Sequence, residues 1–178
     1  MGQTLLIQSE PNLLAPRVLV VACGEEKPLE DNQYREILRK TIASLHNTGV
    51  SHFSCMLTEL SVKNRGIHWK IRQIVEIFIE STYQFNTFKS KPEINKHPIT
   101  EVLLPLSQSD HKTAERAILE GLAIAHAVQR PKDLGNTPPN ICTPQFLAQT
   151  AIDLSKQYHS IRTTVLDEKQ IATLKMGA

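Results

Sequence analysis

Arg17-Val18-Leu19-Val20-Val21-Ala22-Cys23 is a nearly unbroken apolar run, and its reading decides the fold class. Such a run suits a strand buried on both faces, as in a sheet covered by helices. Upstream, Thr4 to Ile7 reads as another short strand. Downstream, Cys23-Gly24-Glu25-Glu26-Lys27-Pro28 is a turn, and Asp31 starts a helix. The apolar positions Tyr34, Ile37, Leu38, Ile42 and Leu45 then fall at helical spacing. Asn47-Thr48-Gly49 stops this helix, with Gly49 as a left-handed C-cap. His52 to Leu60 predicts a third strand, and Ile99 to Leu104 a fourth.

Ile67 to Phe88 is the longest periodic segment. Ile71, Ile74, Val75, Phe78 and Phe85 share one face, and Gln73, Glu76, Glu80 and Gln84 the opposite one, as in an amphipathic helix laid on a core. Lys89-Ser90-Lys91-Pro92 ends it. Ser109 or Asp110 can cap a further helix to about Arg130, whose core face is small: Ala114, Ala117, Ile118, Gly121, Ala125 and Val128. Pro138 and Pro139 make the Asn136 to Pro144 stretch irregular. Thr143-Pro144 is a helix start, a capping hydroxyl followed by proline in the first turn, and the helix runs to about Tyr158. Ile161 to Leu166 reads as a strand, and Asp167 caps a last helix ending near Met176. Strands alternating with helices predict an α/β layered fold with a mixed sheet flanked by helices. The chain opens almost directly in a strand and its last helix has no strand after it, so both ends read as cut.

The bulk properties narrow the function. A chain of 178 residues suffices for one domain and part of another. Twenty basic and 18 acidic residues leave a net charge of +2, too near balance for a strong global field. No apolar run approaches the roughly 20 residues of a membrane-spanning helix, and Met1 to Glu10 lacks the pattern of a secretory signal. Cys23, Cys55 and Cys142 are odd in number and widely spaced, which favours reduced thiols over a disulfide framework.

The usual signatures of chemistry are sparse. None of the seven histidines (46, 52, 68, 97, 111, 126, 159) forms a His-x-x-x-His pair. His111 and Glu115 lie four apart, which suits a solvated pair at a helix start better than metal ligation. His126, among alanines, reads as an inert, partly buried imidazole. There is no Gly-x-Ser-x-Gly elbow and no glycine-rich phosphate loop. Cys142 lies in the proline-rich turn with no histidine near in sequence, and reads as structural. Glu25-Glu26 and Asp167-Glu168 are adequately explained as a loop acid pair and a helix N-cap. From Ser61 to His97 the chain carries Lys63, Arg65, Lys70, Arg72, Lys89, Lys91 and Lys96 against Glu76, Glu80 and Glu93, a local +4, with five of the nine aromatics. Basic residues interleaved with aromatics can bind nucleic acid. Phe78 and Phe85, however, fall on the core face, so a solvated basic rim is the better reading.

The run Lys132-Asp133-Leu134-Gly135-Asn136-Thr137-Pro138-Pro139-Asn140-Ile141-Cys142-Thr143-Pro144 resembles the segment that opens the catalytic domain of the leucyl (cytosol) aminopeptidases. Leu57 to Arg65, Trp69 to Glu76, Tyr83 to Lys89, Glu115 to Ala123, Val165 to Gln170 and Leu174 to Ala178 resemble further family segments in the same order, so the likeness runs from about Gln3 to Ala178. It implies an N-terminal α/β domain similar to a macro domain over 1–108, its opening strands missing, then a linker helix over 109–130 and the truncated start of a peptidase domain over 131–178. It also implies a cytoplasmic hexamer that removes N-terminal residues from peptides with two divalent ions, zinc, manganese or magnesium. In the family the ligands and a catalytic arginine surround an Asn-Thr-Asp-Ala-Glu-Gly-Arg motif. That motif does not occur here, and only 34 residues follow Pro144. No residue of this chain therefore inherits a catalytic, metal or cofactor-binding role. The expectation is a non-catalytic portion of such an enzyme, with no cofactor of its own and no membrane association. The alternative is a DNA-binding module, or another binding module, derived from that family, an ADP-ribose-type site resting on fold analogy alone.

Overall fold

A computed structural model of the chain describes residues 1–8, 15–46, 48–91 and 98–177. Glu10, Asn47, Pro92, Glu93, Lys96, His97 and Ala178, which enter the sequence reading above, lie outside the described residues. The elements are strands β1 (Thr4–Gln8) and β2 (Arg17–Val21), helix α1 (Asp31–His46), strand β3 (His52–Ser54), helix α2 (Ile67–Thr82), strand β4 (Glu101–Leu103) and helices α3 (His111–Asn136), α4 (Pro144–Gln157) and α5 (Glu168–Thr173). The protein is mixed α/β, with small sheets flanked by helices. Instead of one mixed sheet there are two two-stranded sheets among the described residues, β1 with β2 antiparallel and β3 with β4 parallel.

The chain divides into two compact units, Met1–Arg130 and Pro131–Ala178. The core of the first is the seam between α1 and α2. Tyr34, Ile37, Leu38 and Ile42 of α1 meet Trp69, Ile74 and Ile77 of α2, closed by Leu29, Cys55 and Val62. All five apolar positions expected on α1 are buried, because an unbroken 3.6-residue period places them on one stripe. Gly49, just beyond the helix, has φ +69°, a left-handed conformation that costs glycine little. Val21 packs on this core from β2, and the Thr4 hydroxyl meets that of Ser44 on α1 at 2.8 Å.

Several elements depart from the sequence reading for physical reasons. The strand at Arg17 is not buried on both faces: Val20 is 47% exposed and Leu5 opposite it 63%, since α1 lies on the other side of the hairpin. The strand expected over 52–60 stops at Ser54, and Met56–Glu59 turns into a 3₁₀ helix. The Tyr34 hydroxyl donates to the Leu57 carbonyl there, at 3.3 Å. α2 ends at Thr82, not Phe88, because the Ser81 and Thr82 hydroxyls donate to the Phe78 and Ile79 carbonyls. Such bonds compete with helix continuation.

Gln73 is a second correction on α2. It lies on the expected solvent face yet is only 2% exposed, and its Oε1 accepts from Arg35 Nε at 2.5 Å. The reason is that α2 is covered on two sides. Beside the α1 seam, Ile71 joins Ala114 and Ala117 of α3 in a second cluster flanked by Ile67, Leu104, Leu106 and Ile118.

α3 does not stop at Arg130 but continues through Pro131 to Asn136. Proline there leaves the Ala127 carbonyl without its helical donor, and the boundary between the compact units falls at this point. Ala114, Ala117, Gly121 and Ala125 are buried as expected, but Val128 and His126 are exposed. In the second unit, α4 begins as expected, with the Thr143 hydroxyl accepting from Phe146 N and Pro144 in the first turn. Asp167 and Gln170 form a reciprocal capping box on α5, which ends at Thr173 ahead of the expected Met176. Residues 161–166 form no strand, having no pairing partner among the described residues. Neither α4 nor α5 has a buried residue, and Phe146 and Leu147 stand exposed.

Gly121 sets the approach of α3 to α2. A Cβ there would lie 2.9 Å from Val75 Cβ and 3.2 Å from the Arg72 carbonyl oxygen. Gly121→Val should therefore destabilise the first unit by about 1–3 kcal/mol through overpacking, despite the better helix propensity of valine. Urea denaturation would measure this, and an unchanged midpoint would show that the helices separate freely.

Candidate functional site

The first unit has an open cleft of about 480 Å³ between the 3₁₀ turn, the start of α2 and the approach to α3, lined by Thr58, Glu59, Ile67, Lys70, Pro105, Leu106, Ser107 and Asp110. Lys70 is the only cation among the described residues that line it. Its ammonium donates to the carbonyls of Thr58 and Leu60, and burial pulls its pKa below the usual lysine range. Ser107 Oγ donates to Asp110 Oδ2 at 2.7 Å. These groups are engaged with one another and with the backbone, which ties the turn to α2.

A second polar cluster surrounds Trp69, which the sequence reading placed only within a family-like helix. The Arg65 guanidinium lies 5.2 Å from the ring centroid and that of Arg35 5.6 Å, within cation–π range. Arg65 also binds Asp31 through two hydrogen bonds, at 3.0 and 2.7 Å. The hydrogen bond from Arg65, joined by the charges of Arg65 and Arg35, holds the Asp31 carboxyl below the usual carboxylate range. Sequence spacing does not signal this cluster, because the Asp31–Arg35 pair and the Arg65–Trp69 pair lie 30 residues apart along the chain.

The expected candidates are dispersed. His111 and Glu115 are both exposed. His68, in contrast, meets Glu120 of α3 at 3.1 Å, a pair the sequence does not reveal. Arg116 binds the same carboxylate at 2.8 Å. Glu120 is held below the usual range by Arg116 first, with smaller contributions from His68 and Arg72. All three cysteines are free thiols. Burial pushes Cys23 and Cys55 up, the opposite of what a thiolate nucleophile requires.

Among the described residues, no three His, Cys, Asp or Glu side chains converge as metal ligands would. Several carboxylates face cations (Asp31 faces Arg65, Glu120 faces Arg116, and Asp153 faces Lys156), while Asp110 and Asp167 accept from Ser107 and Gln170. This donor set does not fit a two-metal centre.

The basic segment is neutralised in part, at Lys63, Arg65 and Arg72. Lys63 pairs with Glu30 at 3.1 Å and Arg65 with Asp31. Arg72 lies 3.0 Å from Glu76, out of hydrogen-bond alignment. Phe78 packs on the α1–α2 core, and Phe85 and Phe88 pack on each other at 5.8 Å. Phe78 is thereby engaged in the core, whereas Phe88 remains 48% exposed.

Comparison with known proteins places the molecule in a class: a small α/β domain followed by the opening of a peptidase domain. The model of the cytosol aminopeptidase family's N-terminal domain matches residues 1–92, and that of its catalytic domain matches residues 129–178. The chain belongs to the cytosol aminopeptidase family. It is 43% identical over 178 residues to a probable cytosol aminopeptidase of Glaesserella parasuis, covering 99% of this chain and 36% of that one. A probable cytosol aminopeptidase of Vibrio parahaemolyticus is 43% identical over 177 residues, with 98% and 35% covered. The chain thus spans about a third of the length of these relatives. In fold it is similar to a tomato leucine aminopeptidase mutant, with TM-score 0.73, 21% identity and coverage of 99% of this chain and 34% of that one. It is also similar to the bottromycin maturation enzyme BotP in complex with Mn, with TM-score 0.66, 20% identity and coverage of 88% and 30%. Among the described residues, no helix is long and apolar enough to cross a membrane.

The Asp31–Arg65 pair has a definite pH signature. Its carboxyl is depressed in the folded state, so its contribution is present above the ordinary carboxylate range and is lost as pH falls through the folded value. Asp31→Asn should lower the urea midpoint at neutral pH, and the gap to the parent chain should close in acid. A gap that stays constant with pH would rule out a role for the charge.

Proposed function

We propose that this stretch supplies scaffold, not chemistry, to a metal-dependent aminopeptidase that releases N-terminal residues from peptides. The observation that carries this reading is the paired match of N-terminal and catalytic family models over residues 1–92 and 129–178. On this reading, residues 1–108 are the N-terminal domain, 109–130 the linker helix and 131–178 the opening of the peptidase domain. The split of compact units at Arg130 supports that last boundary. Catalytic and metal-binding residues lie in none of these segments, and the two divalent ions, zinc, manganese or magnesium, belong to the whole enzyme. Cytoplasmic location, hexameric assembly and likeness to a macro domain form part of the same reading, supported by the names of the relatives and by the family resemblance.

The test is direct. The purified chain, incubated with zinc, manganese or magnesium, should release no leucine from a chromogenic leucine amide above the metal-only blank. Turnover that scales with protein concentration and survives repurification would overturn the proposal.

A further inference from the structure

We propose that the outer edge of β1 is a self-pairing surface, and that its partner is the same strand of a second copy of this chain. The inference is independent of the proposed function. It starts from the hydrogen-bond pattern of the hairpin. Ala22 N donates to Gln3 O at 2.8 Å, and the register sets Leu5 opposite Val20 and Ile7 opposite Val18. Bonded and non-bonded pairs alternate in an antiparallel ladder. The Leu5 and Ile7 backbone groups therefore point to β2, and those of Thr4, Leu6 and Gln8 point to the free edge. Among the described residues, no backbone group of Thr4, Leu6 or Gln8 bonds outside the hairpin.

This edge lacks the devices that usually discourage pairing. Thr4-Leu5-Leu6-Ile7-Gln8 contains no charge and no proline, and strands without them are templates for addition of another strand. The sequence is also self-complementary about Leu6. An antiparallel copy centred there sets Leu6 against Leu6, Thr4 against Gln8 and Leu5 against Ile7. The outward N–H and C=O groups of Thr4, Leu6 and Gln8 then exchange bonds with the partner's Gln8, Leu6 and Thr4. With no charge on β1, the pairing brings no like charges together, and each residue meets one of its own polarity.

The faces agree as well. Directly opposed residues share a face of the sheet. Thr4 and Val21 face α1 and the core, so Leu5, Ile7, Val18 and Val20 form the opposite face. Leu5, Ile7 and Val20 stand exposed there. Pairing across the dyad lays Leu5 beside the partner's Ile7, and the two apolar faces become continuous over four strands. A two-stranded hairpin is marginal in water, and added strands with an apolar face stabilise it.

Sedimentation equilibrium of the 178-residue chain from micromolar to millimolar concentration tests the proposal. Phe146→Ser and Leu147→Ser are present in every sample, so that the exposed α4 side chains do not contribute. The parent should form a dimer. Leu5→Lys with Ile7→Lys sets like charges against each other across the dyad and should weaken dimerisation by about tenfold or more, about 1.4 kcal/mol at 25 °C. Leu5→Lys with Ile7→Glu sets opposite charges there and should restore it. Hydrogen exchange of the parent is a second readout that needs no strand variant: the Thr4, Leu6 and Gln8 amides should gain protection as concentration rises. A monomer at all concentrations, a dimer that ignores the lysine pair, a lysine–glutamate pair as weak as the double lysine, or amide protection independent of concentration would each overturn the proposal.

Discussion

The first unit depends on the seam between α1 and α2. Tyr34, Ile37, Leu38 and Ile42 fill one side and Trp69, Ile74 and Ile77 the other. Burying an aliphatic side chain of this size is worth about 1.5–3 kcal/mol, so a handful of such residues dominates a net stability of about 5–15 kcal/mol. The sheets are too small to compete. β3 and β4 are three residues each, and they gain their position by packing Phe53 and Val102 onto the seam. The polar groups of the unit are arranged around it too. The Tyr34 hydroxyl reaches the Leu57 carbonyl, and Lys70 closes the same turn from the α2 side.

How much of this was legible in the sequence follows from the range of each signal. α1 was legible to within a residue at either end, because Asp31 opens it and its apolar stripe is uninterrupted. The Thr143-Pro144 start and the Asp167 cap were legible for the same local reason. Failures occur where a distant element decides. Gln73 sits at a polar position by periodicity, yet Arg35, 38 residues away, draws it into the interior. The apolar runs over 52–60 and 161–166 satisfy strand propensity, but a strand also needs a neighbour. Only the first three residues of one found a neighbour among the described residues, and the other found none. Pro131 is the reverse case: a strong local stop signal that α3 overrides.

The functional class was legible through the order of segments along the whole chain, with the Lys132 to Pro144 run the most specific of them, and the family models match on both sides of the chain. Structurally that run is heterogeneous. Its first half continues α3, its prolines form a turn in which Ile141 N and Cys142 N bond the Pro138 carbonyl, and its last two residues start α4. The polar cluster around Trp69 and the His68–Glu120 pair were invisible beforehand, because each joins elements that only the fold brings together.

Trp69 is the only tryptophan in the chain, and it stands in the seam with Tyr34 at 5.7 Å and two guanidiniums over its ring. Its emission is therefore a private reporter of one event, the parting of α1 from α2. Neither α4 nor α5 has a buried residue, and the core cluster that holds this indole is built from residues of the first unit. A fluorescence melt of this chain therefore follows one seam, whereas a far-ultraviolet dichroism melt sums over every helix from α1 to α5.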